Sequence, residues 1–429
     1  MKNSAQHRSW NRKLFSSAAT AAMAFAFTGV VTQSAQERTF TVIHTFTGSD
    51  GANPYAGLTI DQAGRLYGTT WRGGAGPCTI SFLNGCGTVF RFTAHGQGWL
   101  FDPLYSFQGV DGEAPYATVI FGPDGTLYGT TSEGGALGQG TVFNLKPPVT
   151  VCKTSLCPWD ETVLYSFTGT DDGGTPYSEV LFDQAGNLYG TTYKGGGHTW
   201  GTAFELTRSN GSWEETVISD MTNGQGPYGG LVFDSSGNLY GTTSAGGYGG
   251  CDYGSYGGCG TVFQLAPSGS GWTTNALYEF QPTGSGNTPL AGLITDSAGN
   301  LYGTTLDGGQ YGGGTAFKLT NSNGNWSFDA FYAFYPYEQD GGSWGPLLMD
   351  SAGNLYATVL TSGYGGYGQV IKLIPSDGGW TEYTLHTFTN GDDGRYPSGN
   401  LVMDGQGNLY GTASTGGAQG YGLVWEITP

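Results

Sequence analysis

Apolar residues along this chain fall in short runs, each cut off by glycine, asparagine or aspartate, which is the pattern of short β-strands joined by tight turns. The runs recur in a fixed order. Gly-x-Leu-Tyr is found at Leu66, Leu127, Leu188, Leu239, Leu301, Leu355 and Leu409, with spacings of 61, 61, 51, 62, 54 and 54 residues. Seven units of that length are the size of four-stranded propeller blades. In each unit an apolar run such as Gly57-Leu58-Thr59-Ile60 or Leu231-Val232-Phe233 follows small residues (Ala56, Ser178, Gly229, Ala291, Gly399). It reads as the innermost strand, where crowding at the axis favours small side chains.

A turn follows, written Asp-x-x-Gly-Asn at Asp183, Asp234, Asp296 and Asp350 and in variant form at Asp61 and Asp404. The aspartate can accept hydrogen bonds from the backbone ahead of it, and Gly or Asn takes the positive φ of a tight reversal. These aspartates are therefore structural. The second unit has Gly122-Pro123-Asp124-Gly125 and lacks the aligned Asp. Leu-Tyr-Gly-Thr-Thr forms the second strand, altered at Ala357 and Ala413, and a Gly-Gly loop leads to a third strand such as Gly87-Thr88-Val89-Phe90. The fourth strand opens with Trp99, Trp159, Trp213, Trp272, Trp326 or Trp380, residues expected to pack in the core or at the rim.

The two ends of the chain complement each other. Thr41-Val42-Ile43-His44-Thr45-Phe46 resembles the fourth-strand segment Tyr383-Thr384-Leu385-His386-Thr387-Phe388 but stands before any complete unit, and the last unit stops after its third strand at Val424-Trp425-Glu426-Ile427. The expected fold is all-β: a seven-bladed propeller of four-stranded antiparallel blades over residues 37–429. Residues 39–46 should close the ring on the C-terminal blade, which removes two exposed sheet edges.

Composition adds the compartment. Residues 1–36 run from basic (Lys2, Arg8, Arg12, Lys13) through apolar Leu14 to Val31 into small polar residues, the layout of a signal peptide cleaved near Ala35 or Gln36. Without it, eleven Lys and Arg face 33 Asp and Glu, a formal charge of −22. So acidic a surface repels nucleic acid and anionic membranes, and leaves neutral or cationic partners such as an extracellular glycan or protein. Six cysteines fall into the local pairs Cys78 with Cys86, Cys152 with Cys157, and Cys251 with Cys259. They are expected as disulfides in a secreted or periplasmic monomer; their spacing and the absence of recurring histidines argue against zinc.

These repeats resemble the GloVer tandem-repeat family of exported bacterial proteins, through Gly-Asn-Leu-Tyr-Gly-Thr-Thr, Gly-Gly and Gly-Thr-Val-Phe over about residues 39–429, with departures at Ala357-Thr358-Val359 and Ser362-Gly363. The resemblance implies export and a repeat fold and carries no catalytic residue. Some members bear a C-terminal sorting anchor; here Pro429 follows the last expected strand, so a released protein is expected. The blade is also similar to NHL-type and, more loosely, kelch blades, and fold of this kind does not fix function.

Candidate chemistry gathers on one face. The loop leading into the inner strand recurs as Asp-Gly-x-x-Pro-Tyr at Asp50 to Tyr55, Asp111 to Tyr116 and Asp172 to Tyr177. It degenerates at Asn223 to Tyr228, Ser285 to Leu290 and Asp393 to Ser398, and the sixth unit offers Asp340 and Trp344 in shifted register. Loops between the second and third strands add Trp71, Tyr193, Trp200, Tyr248, Tyr253, Tyr256, Tyr311, Tyr364 and Tyr367. Aromatics stack on sugar faces, and carboxylates accept hydroxyl hydrogen bonds or hold calcium, so Asp50, Tyr55, Asp111, Tyr116, Asp172, Tyr177, Tyr228, Asp340, Trp344 and Asp393 are the candidate binding residues. The plain alternative is that Asp-Gly makes a turn, Pro fixes the strand and Tyr packs between blades. Glu179 is the one acid in the expected inner strands and the one candidate catalyst, with a solvated channel residue as its alternative. No nucleophile elbow, phosphate-cradling loop or His-Glu-x-x-His is present, and no resident metal or other cofactor is expected. A non-catalytic carbohydrate-binding propeller is the leading reading; a secreted hydrolase, lyase or lactonase and a structural envelope or matrix protein are the others.

Overall fold

Each blade is built by pairing the strands that the repeats predict. The computed structural model describes residues 38–80, 83–148, 158–247, 249–251, 257–269, 271–335, 341–363 and 365–429. Residues 1–36 and the pair Cys152 and Cys157 lie outside them. Blade 1 orders Leu58–Ile60, Leu66–Thr70, Thr88–His95 and Gly98–Ser106 from inside to outside, and blades 2 to 6 repeat that order. Blade 7 takes Val402–Met403, Leu409–Ala413 and Leu423–Thr428 from the C-terminal end and Thr39–Thr45 from the N-terminal end. In the closing pair Phe40 lies opposite Ile427 and Val42 opposite Trp425. The strand expected to close the ring does so. No helix among the described residues is long and apolar enough to cross a membrane.

The Leu-Tyr-Gly-Thr motif divides its work residue by residue. Leucine is fully buried in blades 1 to 6 and nearly so in blade 7. The tyrosine hydroxyl donates to the turn aspartate of its own blade at 2.9–3.3 Å in all seven cases. In blade 2 Asp124 takes that part from two positions further on, and it also accepts from the Thr126 amide. The glycine lies under a third-strand ring: a Cβ on Gly68, Gly129, Gly190, Gly241, Gly303 or Gly411 would stand 2.4–2.7 Å from Phe90, Phe143, Phe204, Phe263, Phe317 or Trp425. Blade 6 has Ala357 there, and its partner is the smaller Ile371.

Threonine stitches blade to blade. The first Thr of the motif donates to a backbone carbonyl in the segment leading into the next blade at 2.8–3.4 Å, from Thr69 to Ala117 round to Thr412 on Ala56. The second Thr bonds across to the first Thr of the third strand in blades 1 to 5. In blades 6 and 7 both members change together, to Val359 opposite Gln369 and Ala413 opposite Leu423.

The outer strands meet in matched pairs. Pairing of the third and fourth strands shifts register in every blade, a bulge that re-aims side chains toward the neighbouring blade. Three seams are aromatic, with His44 stacked on Phe101 at 4.5 Å, Tyr278 on Phe328 at 3.8 Å and His386 on Phe40 at 3.7 Å. Others are polar: the Ser219 and Thr274 hydroxyls bond at 2.7 Å, and the Tyr332 hydroxyl donates to the Glu382 carboxylate. Between blades 1 and 2, Arg72 is fully buried and reaches Glu113 at 2.7 Å and Glu133 at 3.3 Å.

Candidate functional site

Where the strands converge, three consecutive positions run alongside the axis, and only the middle one varies in chemistry. The first is small in every blade: Ala56, Ala117, Ser178, Gly229, Ala291, Gly345 and Gly399. The third is always Leu or Val, at Leu58, Val119, Val180, Leu231, Leu293, Leu347 and Leu401, and it is buried in the core. Between them stand Gly57, Thr118, Glu179, Gly230, Gly292, Pro346 and Asn400, and all seven line one axial cavity of about 60 Å³. That volume holds a few waters. A position on which the blade makes no common demand is free to serve a ligand.

Two of these side chains satisfy each other. Asn400 accepts from the Thr118 hydroxyl at 2.9 Å and donates to the Leu58 carbonyl at 3.1 Å, crossing the open face of Gly57, where any Cβ would collide with it. Glu179 is different. It stands two residues ahead of the paired inner strand Leu181–Phe182, with its carboxylate folded over Gly230. Among the described residues no other side chain hydrogen-bonds to it, and burial raises its pKa above the ordinary glutamate value, against a lowering contribution from its own amide.

Above this ring sits a cluster of tyrosines. Tyr55 stacks on Tyr116 at 5.1 Å, Tyr177 stacks on Tyr228 at 4.6 Å, and Tyr116 meets both Tyr177 and Tyr228 edge-on at 5.1 and 5.6 Å. Trp344 completes the rim, 6.5 Å from Tyr228, with its indole N–H buried and unpartnered. Burial pushes all four phenols above their ordinary pKa, so they remain neutral. The site therefore joins neutral aromatic surface to one carboxyl group that no other described side chain holds.

The structure brings together Tyr55, Tyr116, Tyr177, Tyr228, Trp344 and Glu179 and leaves the aspartates of the same loops outside. Asp50 accepts from His44 at 2.9 Å and from the Thr47 amide at 2.8 Å. Burial raises its pKa, but these bonds outweigh that and hold it below the usual value. Asp111 and Asp172 accept from the Tyr105 and Tyr165 hydroxyls, and Asp393 from His386 at 3.2 Å. Each ties a loop to the preceding outer strand. Asp340, Tyr248, Tyr253, Tyr256 and Tyr364 lie outside the described residues. Of the other loop aromatics, Tyr311 and Tyr335 stack at 3.8 Å on the exposed surface. Sequence reasoning missed Thr118 and Asn400; the signal was their departure from glycine at the middle axial position.

Cys78 is bonded to Cys86 and Cys251 to Cys259, each pinning the loop between second and third strands. Among the described residues no three His, Cys, Asp or Glu side chains are grouped to hold a metal.

Three comparisons place this geometry. A sequence profile described as the Gloeobacter/Verrucomicrobia repeat matches residues 17–162, 81–254 and 247–429. No curated protein matches the chain. Among solved structures, the extracellular domain of a provisionally assigned one-component system from B. thetaiotaomicron is similar at TM-score 0.53 and 10% identity, covering 91% of this chain. The chain spans only 39% of that protein's length. Polysaccharide lyase Uly1 is similar at TM-score 0.51 and 12% identity, covering 88% of this chain and 90% of its own. A provisionally assigned 6-phosphogluconolactonase from Bacteroides fragilis is similar at TM-score 0.50 and 15% identity, covering 82% and 96%. At these identities the likeness is one of fold.

Proposed function

The chain belongs to the Gloeobacter/Verrucomicrobia repeat family, and on that footing we propose that it is an exported, non-catalytic binding propeller that takes a carbohydrate hydroxyl terminus at its axial mouth. One observation carries the reading. Glu179, to which no other side chain among the described residues hydrogen-bonds, lines the one cavity that the tyrosine cluster and Trp344 rim. A sugar hydroxyl both donates and accepts, and sugar C–H faces pack on neutral aromatic rings, so the class of ligand matches the groups on offer. Two disulfides support an oxidising compartment, and residues 1–36 would direct export and then be cleaved off.

Glycan-array binding with the purified protein tests this. Binding should fall at least tenfold in Tyr177→Ala and in Glu179→Gln, with the melting temperature of Glu179→Gln unchanged. Failure to bind any glycan, or variants that bind as well as the parent, would overturn it. A second reading rests on the same carboxyl: a glutamate whose pKa burial raises above the ordinary value suits proton transfer in a hydrolase or lyase. A substrate screen with and without chelator addresses it, and Glu179→Gln must then abolish turnover.

A further inference from the structure

The seams between blades on the face opposite the axial mouth are closed by a repeated wedge. At the fourth-strand position opposite Ala94, Arg208, Pro267, Asn321 and Pro375 stand Trp99, Trp213, Trp272, Trp326 and Trp380, and in blade 2 continuing the register one residue past Lys146 opposite Asp160 puts Trp159 there. Each packs toward the motif tyrosine or a neighbouring ring of the preceding blade. Trp99 meets Tyr410 at 5.7 Å, Trp272 meets Tyr189 at 5.9 Å, Trp326 meets Tyr240 at 5.7 Å, and Trp380 meets Phe331 at 4.7 Å. Six seams hold an indole.

The seventh does not. Continuing the closing register from Phe40 opposite Ile427 and Thr39 opposite Thr428 puts Arg38 opposite Pro429, so an exposed arginine occupies the wedge position between blades 6 and 7. A groove of about 680 Å³ opens there, against about 340 Å³ in the seam between blades 2 and 3 that keeps Trp213. Its floor is apolar, from Met349, Tyr356, Leu385, Met403 and Ile427, and its size is that of a small-molecule site. The charged groups on its rim are not equivalent. Asp350 and Asp404 are each committed to the amides and Asn side chain of their own turn, at 2.8–2.9 Å. Lys372 lies 5.0 Å over the Tyr356 ring and is ion-paired with Asp350 at 3.8 Å, which leaves Arg38 as the rim cation with no ion pair among the described residues.

We propose that this groove binds a small planar aromatic carboxylate of indole size. The ring takes the place that tryptophan fills in the other six seams, against Tyr356, and the carboxylate meets Arg38 and competes with Asp350 for Lys372. The six filled seams specify the ring, and Arg38, the rim cation with no ion pair among the described residues, specifies the charge.

Calorimetry on the full chain with indole-3-acetate, indole and acetate as probes tests it. Indole-3-acetate should bind in the micromolar range, indole more weakly, and acetate not at all. Arg38→Trp should fill the groove, raise thermal stability and abolish binding of both ring compounds, whereas Arg38→Met should keep indole binding and weaken indole-3-acetate. Lys372→Met should weaken indole-3-acetate about tenfold and leave indole unaffected. No heat with indole-3-acetate at millimolar concentration overturns the proposal, and so does unimpaired binding to Arg38→Trp, which would put the ligand elsewhere. The axial site is untouched by these variants, so failure here leaves the glycan reading intact.

Discussion

Replacing Gly303 by alanine puts a methyl carbon 2.5 Å from Cζ and 3.0 Å from Cε1 of Phe317, and 2.7 Å from Cδ2 of Leu293. No flexible side-chain end can swing aside, because Phe317 is fully and Leu293 almost fully buried. Gly303 does not use a positive φ, so the backbone tolerates alanine and the cost is one of space. Overpacking of this kind costs about 1–3 kcal/mol, less roughly 0.5–1 kcal/mol recovered from the lower chain entropy of alanine in a strand. Blade 6 shows how the clash is relieved, since Ala357 lies opposite Ile371 where Gly303 lies opposite Phe317. Phe317→Ile alone should cost about 2 kcal/mol through lost ring burial and the space left beside the glycine. The double variant should cost no more than Phe317→Ile, because the new methyl fills that space. The expected interaction energy is about 1–2 kcal/mol in favour of the pair. Urea denaturation of the parent, both single variants and the double variant closes the cycle. If the two changes add within about 0.5 kcal/mol, the glycine is not there for the ring and the reasoning fails.

Three further expectations follow from other parts of the ring. Arg72→Met strands Glu113 and Glu133 without their shared cation and should cost about 3 kcal/mol in a urea titration, with partial recovery on adding Glu113→Gln. Burial, reinforced by the negative charges of Asp111 and Asp172, lifts Glu161 to about 8 and Glu215 to about 7. Both sit above the unfolded value near 4.5, so the native state holds the extra protons: stability is full below about pH 4.5 and is lost as pH rises toward 8. Melting temperatures from pH 5 to 8 should therefore fall in the parent and fall less in Glu161→Gln/Glu215→Gln; an identical slope would refute the assignment. Deleting residues 39–46 strips the outer strand from blade 7 and exposes the edge of Leu423–Thr428, so the truncated protein should melt earlier and self-associate in size-exclusion chromatography, while an unchanged monomer would contradict the closure.

Much of this was legible along the chain because a repeat repeats its physics. Blade number, strand order, the Asp turn, the closing strand and two of the cysteine pairs follow from local patterning, and those contacts are either within one blade or identical at each seam. The roles of single motif residues were hidden. Nothing in Leu-Tyr-Gly-Thr-Thr says that its first Thr bonds the next blade while the second bonds its own, yet that is why Thr358 and Thr412 remain where Val359 and Ala413 have changed.

The site was half legible. Tyr55, Tyr116, Tyr177, Tyr228, Trp344 and Glu179 were readable as unusual residues on one face, but Asp50, Asp111, Asp172 and Asp393 looked equally suited to a ligand. Only the packed fold, which sets His44, Tyr105, Tyr165 and His386 of the preceding outer strands beside those carboxylates, decides that they tie loop to strand. The groove at Arg38 was invisible for a related reason. Its walls come from residues near 38, 350, 372, 404 and 429, and a missing wedge has meaning only after the ring has closed and brought the two ends of the chain into one seam. Local strand and turn preferences act over a few residues and so can be read in order, whereas which polar groups are left unpaired depends on neighbours that only tertiary packing supplies.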